Sequence, residues 1–421
     1  MSTVIFFLLL LLYVSLGVKF LGDKNIFYFL IITCIFPFTS ALTNFHTHYQ
    51  ISVYYIFVFI IVLMHVLHSL LKNKIEKTII YVGLFLLVFI FFFLVYDVFL
   101  NPKNLSVIDL LKDIKPLLFL FFGFILLDVF KNSQISWGAP IVKKILFYNF
   151  IASIFWFVIF NNTAFVSFVT NDGYYQINET RYSSLGSSFV IFYFIANLSI
   201  NKKINKKELL YIFSPLFLAG NRTIFFALAV VYLGNVLLST KDVLKLLKKF
   251  FGFGLGLLFI ILGIFSFNEK LQNRVMSMFN YDLVIKQLFS NRFSPFFEEL
   301  LTFKWYNYFF GKGIGETIYI PWFVYRENIK NFNSTMDNIY LTLYIKYGIF
   351  SFLLLSIVYL FFFKLKSNKR NKYLLCIYFL IMGLTTAFMY QTKFLLELVI
   401  LSAFTFKSVQ DSSSVNSFSS L

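Results

Sequence analysis

Apolar residues run along this chain in long blocks, and short polar clusters separate the blocks. A bilayer core about 30 Å thick requires roughly 20 apolar residues per helix at a rise of about 1.5 Å per residue. A search for such blocks gives candidate spans near 2–18, 26–43, 51–71, 78–100, 114–130, 145–160, 184–200, 208–220, 223–239, 250–267, 338–363, 373–390 and 394–406. The blocks 208–220 and 394–406 are short enough to be half-spans or tilted pieces. The pattern therefore predicts an all-α, polytopic integral membrane protein with about 12–13 transmembrane helices.

Composition strengthens this assignment. Of the 421 residues, 59% are apolar and 13% are charged, whereas a soluble domain is about 45–50% apolar and about 25% charged. A mean hydropathy of +0.79 excludes a soluble enzyme, a disordered chain and a nucleic-acid-binding domain. The net charge of +18 does not indicate a nucleic-acid partner, because the basic residues cluster between apolar blocks, where they set membrane orientation.

The basic residues also predict the orientation. With the amino terminus outside, 22 lysines and arginines fall at inner loops and helix ends, and seven, including Lys346, fall at short outer loops and helix ends. The other eight lie in one long outer segment, about 268–337. We expect one transmembrane domain over 1–407, with the first apolar block retained as a helix, and a Ser-rich, disordered inner tail over 408–421.

The long outer segment contains apolar residues at near-helical spacing, which predicts an amphipathic helix lying in the outer interface. These residues are Phe296, Phe297, Leu300, Leu301, Trp305 and Tyr308. The following sequence, Gly311-Lys-Gly-Ile-Gly315, lacks the Lys-Ser/Thr of a phosphate-binding loop and predicts a turn.

Arginine is the most informative residue type, because Arg370 alone among the arginines falls on the predicted inner side. The outer arginines are Arg181, Arg222, Arg274, Arg292 and Arg326. A planar guanidinium makes bidentate contacts with anions that an ammonium does not make. The alternative is that these arginines reach lipid phosphates from the interface. We favour anion binding for Arg222, which lies between two apolar blocks with no long polar loop.

The outer carboxylates that could act as a general base are Asp172, Glu179, Glu298, Glu299, Glu316, Glu327 and Asp337. Asp337 is the strongest candidate for the general base, because Thr335-Met-Asp-Asn-Ile-Tyr340 leads directly into an apolar block. Its alternative role is to cap the helix that follows. We expect no metal site and no cofactor, because no carboxylate or cysteine near the histidines in sequence completes a ligand set.

The order of several short motifs resembles that of a known superfamily. The motifs are Arg181-Tyr-Ser-Ser-Leu-Gly-Ser-Ser188, Ala219-Gly-Asn-Arg-Thr223, Asn291-Arg-Phe293, Phe310-Gly-Lys-Gly-Ile-Gly315, Asp337-Asn-Ile-Tyr-Leu341 and Lys346-Tyr-Gly348. Over roughly 145–390 the chain resembles the O-antigen polymerase and O-antigen ligase superfamily of bacterial inner-membrane glycosyltransferases. Ligases usually carry a histidine before the Asn of the last motif, where this chain has Asp337, so the resemblance favours a polymerase of O-antigen or capsular type.

The resemblance implies that oligosaccharide repeat units linked to undecaprenyl pyrophosphate are joined at the periplasmic face of the inner membrane, without a nucleotide or a metal. Asp337, Arg222 and Arg292 would be catalytic, and Arg181, Arg222, Arg292, Arg274 and Arg326 would bind the pyrophosphate. The implied partners are the lipid-linked oligosaccharide, membrane lipids and a polysaccharide chain-length regulator. Two alternatives stay open, a lipid-linked oligosaccharide flippase and an O-antigen ligase, although the absence of a clear internal repeat argues against a flippase.

The first prediction concerns topology. A cysteine placed by Lys304→Cys should react with a membrane-impermeant thiol reagent in intact cells, because 268–337 faces the periplasm. A cysteine placed by Lys203→Cys should be protected, because its loop carries the basic excess of the inner side. Protection at 304 together with labelling at 203 would contradict the orientation.

Overall fold

The computed structural model describes residues 53–101, 106–131, 135–160, 187–202, 204–219, 222–239, 293–320, 332–391 and 393–405, with a few isolated positions, and it is mostly α-helical. The helices are α1 Val53–Leu71, α2 Lys77–Phe99, α3 Val107–Val129, α4 Pro140–Phe160, α5 Ser187–Ser199, α6 Lys206–Ala219, α7 Arg222–Ser239, α8 Ser294–Leu301, α9 Asn307–Phe310, α10 Ile339–Tyr347, α11 Ser351–Lys364, α12 Lys369–Thr385 and α13 Lys393–Ala403. Two-residue strands form a parallel pair, β1 Ile135–Ser136 with β4 Phe404–Thr405, and an antiparallel pair, β2 Ile318–Tyr319 with β3 Phe332–Asn333.

The helices follow the predicted apolar blocks closely wherever the structure describes them. The largest difference is at α3, which begins at Val107 rather than near 114. Its first turns are polar and are stabilised by the pair between Asp109 and Lys112, whose Oδ1 and Nζ atoms are 2.9 Å apart. The apolar pattern therefore predicted the apolar part of α3 but not the polar turns with which the helix begins. The predicted spans 2–18, 26–43 and 250–267 and the tail 408–421 lie outside the described residues.

Two of the described helical runs are long and apolar enough to cross a membrane. One is α2, with a mean hydropathy of 2.9, and the other runs from Ile339 to Lys364 through α10 and α11, with a mean hydropathy of 2.0. Only 28% of the apolar window of α2 is buried inside the protein. The mostly helical class is confirmed, and the number of spans stays a prediction.

Helix α5 forms the centre of the described helices. Every one of its residues except Leu198 is buried, and it contacts α6, α7, α12 and α13. A helix that is apolar on all sides must be enclosed by others. Around it, α7 lies along α12, α4 along α6, and α3 between α2 and α13.

The two ends of the helices have different contacts. At one end, residues of the predicted inner loops meet: Lys131 Nζ lies 3.1 Å from Glu76 Oε1, and Lys366 Nζ donates to the carbonyl of Lys131 at 2.9 Å. At the other end, Asn101 Nδ2 donates to the carbonyl of Lys312. Positions that the charge pattern assigned to one side therefore lie together.

The outer segment differs from the expected amphipathic helix. Helix α8 stops at Leu301, and the one-turn α9 begins at Asn307, whose Oδ1 accepts a hydrogen bond from the backbone N–H of Lys304 at 2.8 Å. Phe296 and Phe303 pack against a small buried cluster formed by Ile318, Ile320, Met336 and Ile345. The predicted stripe therefore extends over two short helices, α8 and α9, and Phe296 is the member of the stripe that packs inward against this cluster. The exposed members are Phe297, Leu301, Trp305 and Tyr308.

Candidate functional site

The turn predicted at residues 311–315 is present, and its backbone conformation requires glycine. Gly311, Gly313 and Gly315 have φ values of 66°, 88° and 76°, in the left-handed region that residues with a Cβ seldom adopt. Neighbouring groups also leave no room for a side chain. A Cβ on Gly311 would lie 2.3 Å from the carbonyl carbon of Lys346, and one on Gly313 would lie 1.8 Å from Asp97 Oδ1.

The loop caps the carboxyl end of α10. The backbone N–H groups of Lys312 and Gly313 donate to the carbonyls of Ile345 and Lys346 at 2.7 and 2.8 Å. The last carbonyls of a helix lack partners within it, and α10 ends because Gly348 has a φ of 54°. The loop therefore provides the donors that the end of this helix needs.

Helix α2 holds the loop from a second side. Asp97 Oδ2 accepts from the backbone N–H of Ile314 at 2.9 Å, and the Tyr96 hydroxyl donates to the carbonyl of Gly311 at 2.9 Å. Asn307 Nδ2 donates to the same carbonyl at 2.8 Å and to the Tyr96 oxygen at 3.0 Å. These hydrogen bonds hold the loop against the end of α2.

A fully buried ion pair closes the arrangement. Lys346 Nζ lies 2.8 and 2.6 Å from the two carboxylate oxygens of Asp113 and 2.6 Å from the carbonyl of Glu316. Asp113 Oδ2 also accepts from the backbone N–H of Gly315 at 2.7 Å. Both charged side chains have no solvent exposure. We call the backbone of residues 311–316, with the side chains of Asp97, Asp113 and Lys346, the glycine clasp.

Three charged side chains lie over the clasp, nearer the surface. Lys312 is paired with Glu299, and its Nζ is 3.9 Å from Glu316 Oε1. The ring of Phe303 lies 5.9 Å from the same Nζ. Their exposed side-chain fractions of 12–20% leave these groups partly accessible, unlike the ion pair beneath them.

Asp337 is exposed, in the turn that leads to α10. It is not the helix cap: the cap is Asn338, which has extended backbone angles and whose Oδ1 accepts from the N–H of Leu341 at 3.1 Å. The capping alternative for Asp337 is therefore wrong, and its role as general base stays a prediction.

Arg222 is the first residue of α7, and α6 ends three positions earlier at Ala219. The rings of Phe217 and Phe225 are 4.8 Å apart across this connection, which confirms that Arg222 lies at the mouth of a helical hairpin. Its side chain is not among the described atoms. Arg181, Arg274, Arg292 and Arg326 lie outside the described residues, so their convergence on one cavity stays a prediction.

Sequence reasoning missed the buried charges. Lys346 was expected at an outer helix end but is fully buried, because Asp113 neutralises it, and Asp97 and Asp113 were not among the candidate acids. The available signal was that Asp97 and Lys346 fall within the predicted spans 78–100 and 338–363, where a charge requires a partner. Their common partner, the glycine loop, is more than 200 positions from Asp97 along the chain.

Within the described ranges, no group of three or more His, Cys, Asp or Glu side chains could hold a metal ion. The fold does bring a carboxylate to one histidine, since His65 Nε2 lies 3.0 Å from Asp128 Oδ2. Ser69 Oγ is 3.4 Å from the same nitrogen. Because both groups meet one ring nitrogen, they do not form the relay of a Ser-His-Asp triad, which uses both nitrogens.

The chain belongs to a family of unknown function (DUF6369), whose family model matches residues 23–417. No curated protein and no solved structure matches the chain significantly.

Gly313→Ala tests the clasp. The new methyl group would collide with Asp97, and the positive φ is strained for alanine, so the free energy of unfolding should fall by at least about 2 kcal/mol. Gly138→Ala is the matched control: Gly138 is exposed, and an added Cβ would lie 3.6 Å from its nearest neighbour. Denaturant unfolding of the purified protein measures both. Equal stability of the two variants would contradict the close contact.

The ion pair makes a separate prediction. Lys346→Met should lower the free energy of unfolding by about 3–5 kcal/mol, because Asp113 becomes an unpaired buried carboxylate. Adding Asp113→Asn should recover part of this loss, because the neutral amide oxygen can still accept from the N–H of Gly315. The measurement is a double-mutant cycle of unfolding free energies. Simple additivity of the two losses would show that the charges are not coupled.

Proposed function

We propose that this protein polymerises undecaprenyl-pyrophosphate-linked oligosaccharide repeat units into O-antigen or capsular polysaccharide at the periplasmic face of the bacterial inner membrane. The observation that carries the proposal is contact between two motifs of the resemblance. Phe310-Gly-Lys-Gly-Ile-Gly315 caps the helix that ends in Lys346-Tyr-Gly348, and a Cβ on Gly348 would lie 2.4 Å from the carbonyl oxygen of Phe309. Motifs that contact each other in this way support a shared role in one site.

Two further features support a location in the membrane. Helix α2 exposes large apolar side chains along its length, including Tyr81, Leu87, Phe91 and Phe99, as a helix facing lipid does. Contacts at one end of the helices join positions of the predicted inner loops, and the clasp lies at the opposite end of α2. The clasp is therefore expected on the periplasmic side.

The proposed reaction is transfer of the growing chain to the next lipid-linked unit. A hydroxyl oxygen of the acceptor's terminal sugar bonds to the anomeric carbon at the reducing end of the growing chain. The bond from that carbon to the pyrophosphate oxygen breaks, and undecaprenyl pyrophosphate leaves with the electron pair. The hydroxyl proton passes to the carboxylate of Asp337, or Asp337 orients the hydroxyl while solvent accepts the proton.

Arginines supply the electrostatic part of this proposal. The departing pyrophosphate gains negative charge as the glycosidic bond breaks, so guanidinium groups fixed beside it stabilise the transition state more than the ground state. Arg181, Arg222 and Arg292 are assigned this role, with Arg274 and Arg326 as additional contacts. Membrane lipids and a chain-length regulator remain the proposed partners.

Deletion of the gene, followed by gel analysis of surface polysaccharide, tests the proposal. A polymerase deletion should leave lipopolysaccharide carrying single repeat units. Loss of all repeats would instead favour the flippase or the ligase. Polysaccharide of unchanged length would contradict all three.

Arg222→Lys should reduce the amount of polymer by at least about tenfold, because lysine keeps the charge but not the bidentate geometry. Arg370→Lys is the matched control, since Arg370 donates to the carbonyl of Asn235 at the opposite, predicted inner end. Polymer is measured on gels at equal protein levels. Full polymer length with Arg222→Ala would exclude a catalytic role for this residue.

Asp337→Asn should abolish most polymerisation if Asp337 accepts the proton, because asparagine cannot do so. The helix cap is unaffected, since Asn338 provides it, so the variant should accumulate normally. Complementation of the deletion strain measures the effect. Normal polymer at wild-type protein levels would show that the base assignment is wrong, and Glu179 or Glu299 would be examined next.

A further inference from the structure

Lys115 is a mostly buried lysine near the start of the predicted span 114–130. Unlike Lys346, which Asp113 neutralises, Lys115 forms no ion pair with any acidic side chain in the described ranges. The charged group that acts on it is another cation, Lys112, one turn earlier on α3. A mostly buried ammonium without a counter-ion is costly, so this position favours an anion that comes from outside the chain.

Contacts between α1 and α3 place Lys115 at the level where α1 begins. Three side-chain contacts show that the two helices run parallel with a nearly constant offset of 63 or 64 positions: Tyr55–Phe119, Phe59–Phe122 and His65–Asp128. The same offset puts Lys115 just beyond the first residue of α1, Val53. The first N–H groups of a helix lack partners within it and attract anions. The start of α1 therefore adds to the positive potential around Lys115.

The charge of this region matches that of a single phosphodiester. Lys112 lies three positions before Lys115, on the same side of α3. Its Nζ is 2.9 Å from Asp109 Oδ1, which neutralises it. Two lysines and one aspartate leave a formal charge of +1. A phosphodiester carries one negative charge and balances this excess, whereas a pyrophosphate diester carries two.

Exposed apolar side chains continue from Lys115 toward the membrane interior. Leu118 follows on the same side of α3 and is 44% exposed. On the facing side of α1, Phe59 and Leu63 are 49% and 45% exposed, and Phe59 contacts Phe122 of α3. A cation at the outer end of an apolar surface matches a lipid, whose phosphate lies above its acyl chains.

We propose that Lys115, with Lys112 and the start of α1, binds the phosphodiester of an anionic phospholipid from the outer half of the membrane. An acyl chain of this lipid lies along Leu118 and Phe59. The inference rests on the membrane location that the proposed function requires, but it does not depend on the polymerase reaction. It assigns one bound lipid to a defined place on the fold.

Native mass spectrometry of the purified full-length protein in a neutral detergent tests the site, because it counts bound lipid molecules. The probe is phosphatidylglycerol. Lys115→Met should lose one tightly bound phosphatidylglycerol per chain, with occupancy of that site reduced at least about tenfold, as expected for loss of a hydrogen bond to a charged group. Lys115→Arg should keep this lipid, because the guanidinium keeps the charge.

Lys304→Met is the matched control. Lys304 is an exposed lysine of the predicted outer side, and its Nζ lies 5.8 Å from the ring centroid of Tyr306, away from α3. The substitution changes the net charge by the same amount and should leave the number of bound lipids unchanged. Equal losses in Lys304→Met and Lys115→Met would show an effect of net charge alone and would overturn the site.

Thermal unfolding without added lipid gives a second readout. Lys115→Met removes a charge that has no partner, so its Tm should equal or exceed that of the wild type. A lower Tm would show that the protein itself pairs with Lys115, and it would contradict the proposal.

Undecaprenyl pyrophosphate distinguishes the two sources of lipid phosphate. If it displaces phosphatidylglycerol from this site at equal concentration, the site belongs to the lipid-linked substrate and the phospholipid assignment is wrong. An unchanged lipid count in folded Lys115→Met would overturn the site while leaving the polymerase proposal intact. Polysaccharide of unchanged length in the deletion strain would overturn the polymerase instead.

Discussion

A lysine ammonium and an aspartate carboxylate that never contact water must find every hydrogen bond inside the protein. Lys346 and Asp113 meet this requirement through each other, through the N–H of Gly315 and through the carbonyl of Glu316. Desolvating two charges is costly, and only good geometry with additional hydrogen bonds offsets that cost. The pair therefore fixes the glycine loop beside the carboxyl end of α10.

The position of that loop explains several other features. Helix α10 can end inside the protein because the loop supplies donors to its last carbonyls. The apolar stripe of the outer segment is divided because the chain must turn inward at Asn307 to reach the clasp. The partly exposed Lys312 and Glu316 lie on the same backbone. The structure around the carboxyl end of α2 thus depends on the buried ion pair and its hydrogen bonds as well as on apolar packing.

Much of the helical architecture was predictable, because long apolar blocks separated by basic clusters are a strong local signal. The alternation of charge also assigned the loops near Lys131 and Glu76 to the same side, and the structure brings these two residues into contact. The glycine turn was recognisable from its spacing alone. Its partners were not, because Asp97 and Asp113 lie more than 200 positions away and no local pattern reports a contact at that distance. The start of α3 at Val107 was missed for a different reason, because its first turns are polar and the apolar pattern begins only after them.

The separation of the clasp along the chain has a consequence for synthesis. Asp113 and Lys346 are 233 residues apart, so α2 and α3 leave the ribosome long before their partner exists. At about 5–20 residues per second, the wait is roughly 10–50 s. During that interval the carboxylates of Asp97 and Asp113 lack the N–H groups of the glycine loop that they accept from in the folded protein. Helices α2 and α3 therefore lack their buried polar partners until synthesis has passed residue 346.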